Sequence, residues 1–127
     1  IYKMELEDRN GDTMRIRVKG EGKEIVYELN DSPAAAALYA QLPLSMGVED
    51  FGSNEKIFYP PQKLDTAGTP LADAGAGTLA YYAPWGDVVM FYQKFGSGSG
   101  LYELGKAVSG AEQIGTLSGT ITIEKAE

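Results

Sequence analysis

The sequence contains neither cysteine nor histidine. Without cysteine it has no disulfide, no thiolate nucleophile and no zinc–thiolate site, and without histidine it has no imidazole base or imidazole metal ligand. Carboxylates and carbonyls remain as ligands, and they favour only hard cations. We therefore expect at most weak metal binding, and we predict no metal site and no cofactor.

Basic residues are also scarce, since 11 Lys and Arg stand against 18 Asp and Glu and the net charge is −7. This balance repels nucleic acid and anionic lipid, so neither is an expected partner. No apolar run approaches the ~18 residues that a membrane-spanning helix needs, so no membrane-spanning segment is predicted.

The length of 127 residues predicts one domain over residues 1–127. With 43% hydrophobic and 23% charged residues, the composition is that of a globular chain. The chain begins at Ile1 rather than at methionine, which we interpret as a processed or truncated N-terminus. The lack of cysteine slightly favours an extracellular or cell-surface location over a cytoplasmic one.

Alternating polar and apolar residues predict strands. Over the first thirty positions they indicate an antiparallel meander that starts at Tyr2 and turns at Asn10-Gly11 and Gly20–Lys23. The later strands are expected at Leu44–Phe51, Lys56–Tyr59, Leu79–Ala83, Asp87–Phe95, Leu101–Leu104 and Leu117–Glu124.

One strand should be covered on both faces, because Val88–Tyr92 is an unbroken apolar run. We expect Val88 or Val89 to share one core with Phe91, Ile121 and Ile123.

Two short helices interrupt the strands. The first is predicted over Ala34–Leu42, with an N-cap at Asp31-Ser32 and Pro33 at the first helical position. The second is predicted to open at a capping box, Ser109–Glu112, and to run through Ile114.

Two segments rich in glycine and small residues are predicted to be loops. Pro60–Thr78 is longer than the ~12–15 residues of an ordinary connection, which indicates a functional or mobile segment. Gly96–Gly100 has the composition of a flexible hinge.

Three short motifs are interpreted as turns rather than sites. Asp8–Lys19 begins like a calcium loop but lacks its glycine and its glutamate. Ser53–Lys56 has a serine–lysine spacing that works only on a helix, whereas a turn is predicted here. Gly75–Ala80 resembles a dinucleotide fingerprint, but its glycines precede a strand instead of a helix.

The aromatic residues, eight Tyr, four Phe and one Trp, are concentrated after residue 58. Core filling is the simpler interpretation. However, Tyr81 and Tyr82 cannot both point into one core of a strand, and Trp85 lies in a Pro-Trp-Gly turn that should leave it partly exposed. An aromatic binding groove near these residues is the alternative hypothesis.

Four segments in order resemble the cyclophilin-like proteins, specifically their short bacterial members. They are Ala37–Leu44, Phe51–Tyr59, Gly77–Pro84 and Leu104–Gly110. The resemblance implies a mostly β fold, a closed barrel of about eight strands with two short helices.

The resemblance does not extend to the prolyl isomerase site of true cyclophilins. All three arginines, Arg9, Arg15 and Arg17, precede the first helix, whereas the family's catalytic arginine should follow it. The family's pocket histidine falls on Leu101. A small alanine of the family is replaced by Tyr82, which could fill the proline pocket.

Two functions follow from this resemblance. The first is a non-catalytic module that binds a peptide or small ligand through Phe58, Tyr82, Trp85 and Phe91. The alternative is a divergent peptidyl-prolyl isomerase with Lys56 in place of the arginine, although lysine is a point charge that cannot reproduce a planar guanidinium. The binding module is preferred. A prolyl peptide assay distinguishes the two functions, because isomerase activity that is lost in Lys56→Ala would favour the enzyme. Two roles of Pro60–Thr78 stay open: a loop with no part in ligand binding, which is preferred, and a lid over Tyr82 and Trp85, whose groove the loop flanks.

Overall fold

The computed structural model describes residues 13–126. The predicted strand at Tyr2, the turn at Asn10-Gly11 and most of the calcium-like motif lie outside this range. Within it the chain forms strands and two short helices, bounded as follows: β1 Arg15–Gly20, β2 Lys23–Leu29, α1 Pro33–Ala40, β3 Leu44–Gly47, β4 Glu49–Phe51, β5 Glu55–Phe58, β6 Leu71–Ala74, β7 Thr78–Tyr82, β8 Asp87–Phe91, β9 Gly96–Ser109, a 3₁₀ helix Ala111–Thr116, and β10 Thr120–Ala126.

The ten described strands form one antiparallel sheet in the order β3-β10-β1-β2-β9-β7-β8-β5-β4, with β6 paired to β9 beside this path. The two ends of the path, β3 and β4, are separated in sequence by Val48 alone. Since consecutive Cα atoms are only about 3.8 Å apart, the sheet must curl far enough to bring the end of β3 close to the start of β4. The mostly β architecture is confirmed. The described strands show no pairing between β3 and β4, so full closure of the barrel stays a prediction.

The sheet carries a hydrophobic core on each face. The larger core includes residues of α1 and of the 3₁₀ helix and holds Val88, Ile121 and Ile123. The smaller core lies on the other face and is made by Ile57, Ala72, Ala74, Ala80, Val89, Phe91 and Leu101.

Alternation along β8 explains this division, because successive side chains point to opposite faces of the sheet. Val88 and Met90 enter the larger core, while Val89 and Phe91 enter the smaller one. The prediction that β8 is covered on both faces is confirmed. The prediction of a single core uniting Phe91 with Ile121 and Ile123 is wrong.

Both predicted loops contain strand. Pro60–Thr78 includes β6, and the buried Leu64 donates its backbone N–H to the Tyr81 hydroxyl at 3.2 Å. Gly96–Gly100 opens β9, where Gly96 pairs with Ala74 of β6. These strands were not predicted from the composition, because alanine and glycine residues show little of the hydrophobic alternation from which strands are predicted.

The helices begin near their predicted positions. The Ser32 hydroxyl accepts the Ala35 N–H at 3.2 Å and caps α1, which ends two residues earlier than expected. The second helix starts after Gly110 without a side-chain cap, because Ser109 is still the last residue of β9. No helix among residues 13–126 has the length and apolar character needed to cross a membrane.

Candidate functional site

A cavity of about 440 Å³ opens on the face of the sheet that carries the smaller core. This volume lies within the roughly 300–1,000 Å³ that is usual for small-molecule sites. The lining residues come from β4, β5, β7, β8, the first half of β9 and the segments next to them. They are Phe51, Glu55, Tyr82, Trp85, Asp87, Val89, Phe91, Phe95, Gly98, Ser99 and Leu101.

Three of the four predicted site residues, Tyr82, Trp85 and Phe91, come together around this cavity. Phe58 does not, because alternation in β5 sends Ile57 to the smaller core and Phe58 to the larger one, where it is fully buried. Tyr82 lines the cavity and leaves it open.

Aromatic rings form much of the cavity mouth. The Trp85 ring stands edge-on to Phe51 at a centroid distance of 5.1 Å and to Tyr82 at 5.6 Å. A second pair of lining rings is formed by Phe91 and Phe95, whose centroids are 5.3 Å apart. Trp85 is 51% exposed and Phe95 is 48% exposed, so that apolar rings are offered to solvent at the entrance of a concave site.

Two buried carboxylates, Glu55 and Asp87, also line the cavity, and neither was predicted as a site residue. Glu55 begins β5 opposite Phe91, and Asp87 begins β8 opposite Tyr82. Asp87 is only 2% exposed, and its Oδ1 atom has no hydrogen-bond partner among the described residues. The available signal was an acidic residue at the start of each of two strands, of which only β8 is otherwise apolar.

Burial controls the charge of both groups. It raises the pKa of Asp87, an effect that the residue's own backbone hydrogen bond partly offsets. Burial also raises the pKa of Glu55, which the negative charge of Asp87 raises further. No basic side chain of the described residues lines the cavity to neutralise them.

Replacing Asp87 with asparagine should stabilise the free protein near neutral pH. An ionised carboxylate costs more to bury than a neutral amide of the same size, so we expect Asp87→Asn to raise the free energy of unfolding by about 1 kcal/mol. Because the pKa of Asp87 is higher in the folded state than in the unfolded state, the parent should lose stability as the pH rises from about 4 through the folded-state pKa.

The variant should show a shallower loss of stability over this pH range, with a remaining slope from Glu55. Urea denaturation at several pH values measures both effects. Asp73→Asn is the control, since Asp73 lies exposed on β6 and away from the cavity. A variant less stable than the parent at neutral pH, with an unchanged slope, would contradict this interpretation.

Lys56 lies outside the cavity. Its side chain is buried and forms an ion pair with Asp50, the residue opposite it in β4. Alternation places it on the face of β5 opposite Glu55. The position that the resemblance assigns to histidine, Leu101, lines the cavity with an apolar side chain.

The serine–lysine motif and the glycine motif lie where the sequence predicted them. Ser53 lies in the turn before β5, and Gly75 and Gly77 precede β7. No residue of Pro60–Thr78 lines the cavity, which favours a loop with no part in ligand binding over a lid on Tyr82 and Trp85. Residues 13–126 contain no group of three or more carboxylate, histidine or cysteine side chains placed to hold a metal ion.

Comparison with known proteins places this fold. A family model described as the cyclophilin-like family matches residues 18–124. The solution structure of a hypothetical protein from Archaeoglobus fulgidus is similar, with a TM-score of 0.71, 20% sequence identity and coverage of 94% of this chain and 100% of that one. No curated protein matches the chain. The family model covers most of the sequence, and the chain therefore belongs to the cyclophilin-like family.

Proposed function

We propose that this protein is a non-catalytic binding module that holds a small ligand, or a side chain of a peptide, in the aromatic cavity. The observation that carries the proposal is a concave apolar site lined by aromatic side chains, of which Phe51, Trp85 and Phe95 are about half exposed. Ligand sites are typically apolar concavities with a few convergent polar groups, and here Glu55 and Asp87 supply those groups.

The chemistry of the lining residues argues against the alternative of prolyl isomerisation. That reaction, as the resemblance implies it, uses a cation beside the prolyl amide, in a site whose electrostatics are arranged in advance. The charged side chains of this cavity are carboxylates, and Lys56 is buried on the other face beside Asp50. The groups present can hold and orient a ligand.

A neutral aromatic probe, benzyl alcohol, tests the proposal. Trp85 is the single tryptophan of the chain, so that its indole N–H gives one reporter signal in a nitrogen–proton correlation spectrum. We expect benzyl alcohol to shift this signal together with the amides of Gly98 and Ser99, because these residues line the same cavity.

Matched variants locate the binding. Phe95→Ala should weaken the binding of benzyl alcohol several-fold, because it removes half of the Phe91–Phe95 ring pair. Leu71→Ala removes a side chain that is 62% exposed and outside the cavity, and it should leave binding unchanged. Shifts confined to other surfaces, or equal effects of the two variants, would refute the proposed site.

A further inference from the structure

We infer that the ligand of this cavity is a small organic cation, whose ammonium, amidinium or guanidinium group lies beside Asp87 while its apolar part contacts the aromatic rings and the negative charge of Glu55 adds to the attraction. This inference rests on the proposed function and specifies the chemical class of the ligand. Four features of the cavity support it.

The first feature is the unused bonding capacity of Asp87. Its side chain is almost wholly buried, yet Oδ1 makes no hydrogen bond to any described residue. Buried polar atoms are nearly always paired in folded proteins, so an unpaired acceptor in a cavity wall calls for a donor from outside the chain. A cationic N–H group is the strongest donor for a carboxylate.

The second feature is the position of Glu55. In the β5–β8 pairing, Glu55 stands opposite Phe91, and Ile57 stands opposite Val89. Asp87, Val89 and Phe91 alternate along one face of β8, so both carboxylates border the same strip of cavity wall. A ligand on this strip has acceptors toward both ends and apolar surface between them.

The third feature is the aromatic surround. Trp85, Tyr82, Phe51, Phe91 and Phe95 all line the cavity. The faces of these rings attract cations, most strongly in the case of tryptophan, and the attraction grows when the cation is desolvated. Ring faces and carboxylates therefore favour the same sign of charge on the ligand, whereas the carboxylates would repel an anion.

The fourth feature separates an organic cation from a metal ion. Calcium takes about six to eight oxygen ligands, and magnesium demands octahedral oxygen coordination. Two carboxylates set among aromatic and aliphatic side chains do not provide such a shell, and no group of three acidic side chains occurs in the described part of the chain. An alkyl or arylalkyl ammonium ion, in contrast, buries its hydrocarbon part while a carboxylate balances its charge.

Pairs of probes that share a shape and differ in charge test the inference. Benzylamine should bind about tenfold or more tightly than benzyl alcohol near neutral pH, because the ammonium group adds a charge-assisted hydrogen bond to a buried acceptor. Benzamidine should likewise bind more tightly than benzamide. The Trp85 indole signal reports occupancy for all four probes.

Asp87→Asn and Glu55→Gln should each reduce the preference for the charged member of a pair, while Asp73→Asn should leave it unchanged. Each variant is first checked for folding by circular dichroism, and the two cavity variants keep the test decisive if one of them unfolds. A tripeptide with a central arginine, acetylated and amidated, distinguishes a chain-borne cation from a free one. Tighter binding by the small probes than by this peptide supports a free cation, and the reverse order overturns the commitment to a small molecule.

The failure of the inference is distinguishable from the failure of the proposed function. Equal binding of benzylamine and benzyl alcohol would overturn the cationic ligand, and a preference that survives in both cavity variants would overturn its placement beside the carboxylates; either result leaves the binding module intact. If neither probe moves Trp85 or its cavity neighbours, both the inference and the proposed function are refuted.

Discussion

Replacing Gly105 with alanine should destabilise the protein by about 3 kcal/mol or more, a large share of the roughly 5–15 kcal/mol that stabilises a typical domain. Gly105 lies in β9 between two neighbours, paired with Leu29 of β2 and with Leu79 of β7. A Cβ at this position would collide with the Glu28 carbonyl oxygen and lie 2.9 Å from the Leu29 Cα. Both obstacles are backbone atoms, so no side-chain rotation can relieve the contact.

Gly47→Ala provides the matched control. Gly47 is also a strand glycine, at the end of β3, but a Cβ built there meets nothing within 4 Å. We expect its free energy of unfolding to change by less than about 1 kcal/mol. Chemical denaturation of the two variants beside the parent measures the difference. Similar stabilities of the two variants would show that β2 and β9 can separate to admit a methyl group.

Replacing Phe91 with alanine should cost about 3–5 kcal/mol, the usual range for removing a buried aromatic side chain. Phe91 is 1% exposed and lies in the smaller core, with Val89 and Leu101 in the same cluster. The loss would show that this core stabilises the fold and does not merely line a binding site. Thermal and urea denaturation give the value.

Phe95→Ala is the control for this effect, since Phe95 is the half-exposed partner ring of Phe91. Its removal should cost about 1 kcal/mol or less, because most of the lost contact surface is already hydrated. If Phe91→Ala lost no more than Phe95→Ala, the smaller core would contribute little to stability, and the Phe91 ring would act chiefly as part of the cavity.

Strong local patterns made much of the fold predictable. The alternation through Ile25, Tyr27 and Leu29 identified β2, and Ser32-Pro33 identified the start of α1. The apolar run at Val88–Tyr92 indicated a strand buried on both faces. Each of these signals is contained within a few residues, so it survives without knowledge of the partner strands.

Features that depend on distant parts of the chain were not predictable. Strand β6 exists because Leu71 and Ala74 find partners on β9, and its small residues carry no pattern of their own. Phe58 was assigned to the site because its aromatic character was visible, whereas the face it occupies depends on the β5–β8 register. Asp87 and Glu55 were missed for the same reason, since an acidic residue at the start of a strand usually faces solvent.

The strand order has a consequence for how the chain folds as it is synthesised. β10, the last described strand, lies between β1 and β3 and pairs with both, for example through Val18↔Ile123 and Leu44↔Ile123. Until β10 has left the ribosome, β1 and β3 each lack this neighbour. Their unpaired backbone groups can then pair with other chains. Long-range pairing of this kind slows folding, because the closure of a long loop must precede the contacts that reward it. The acidic charge of the chain would then oppose association between nascent copies during the interval before β10 is added.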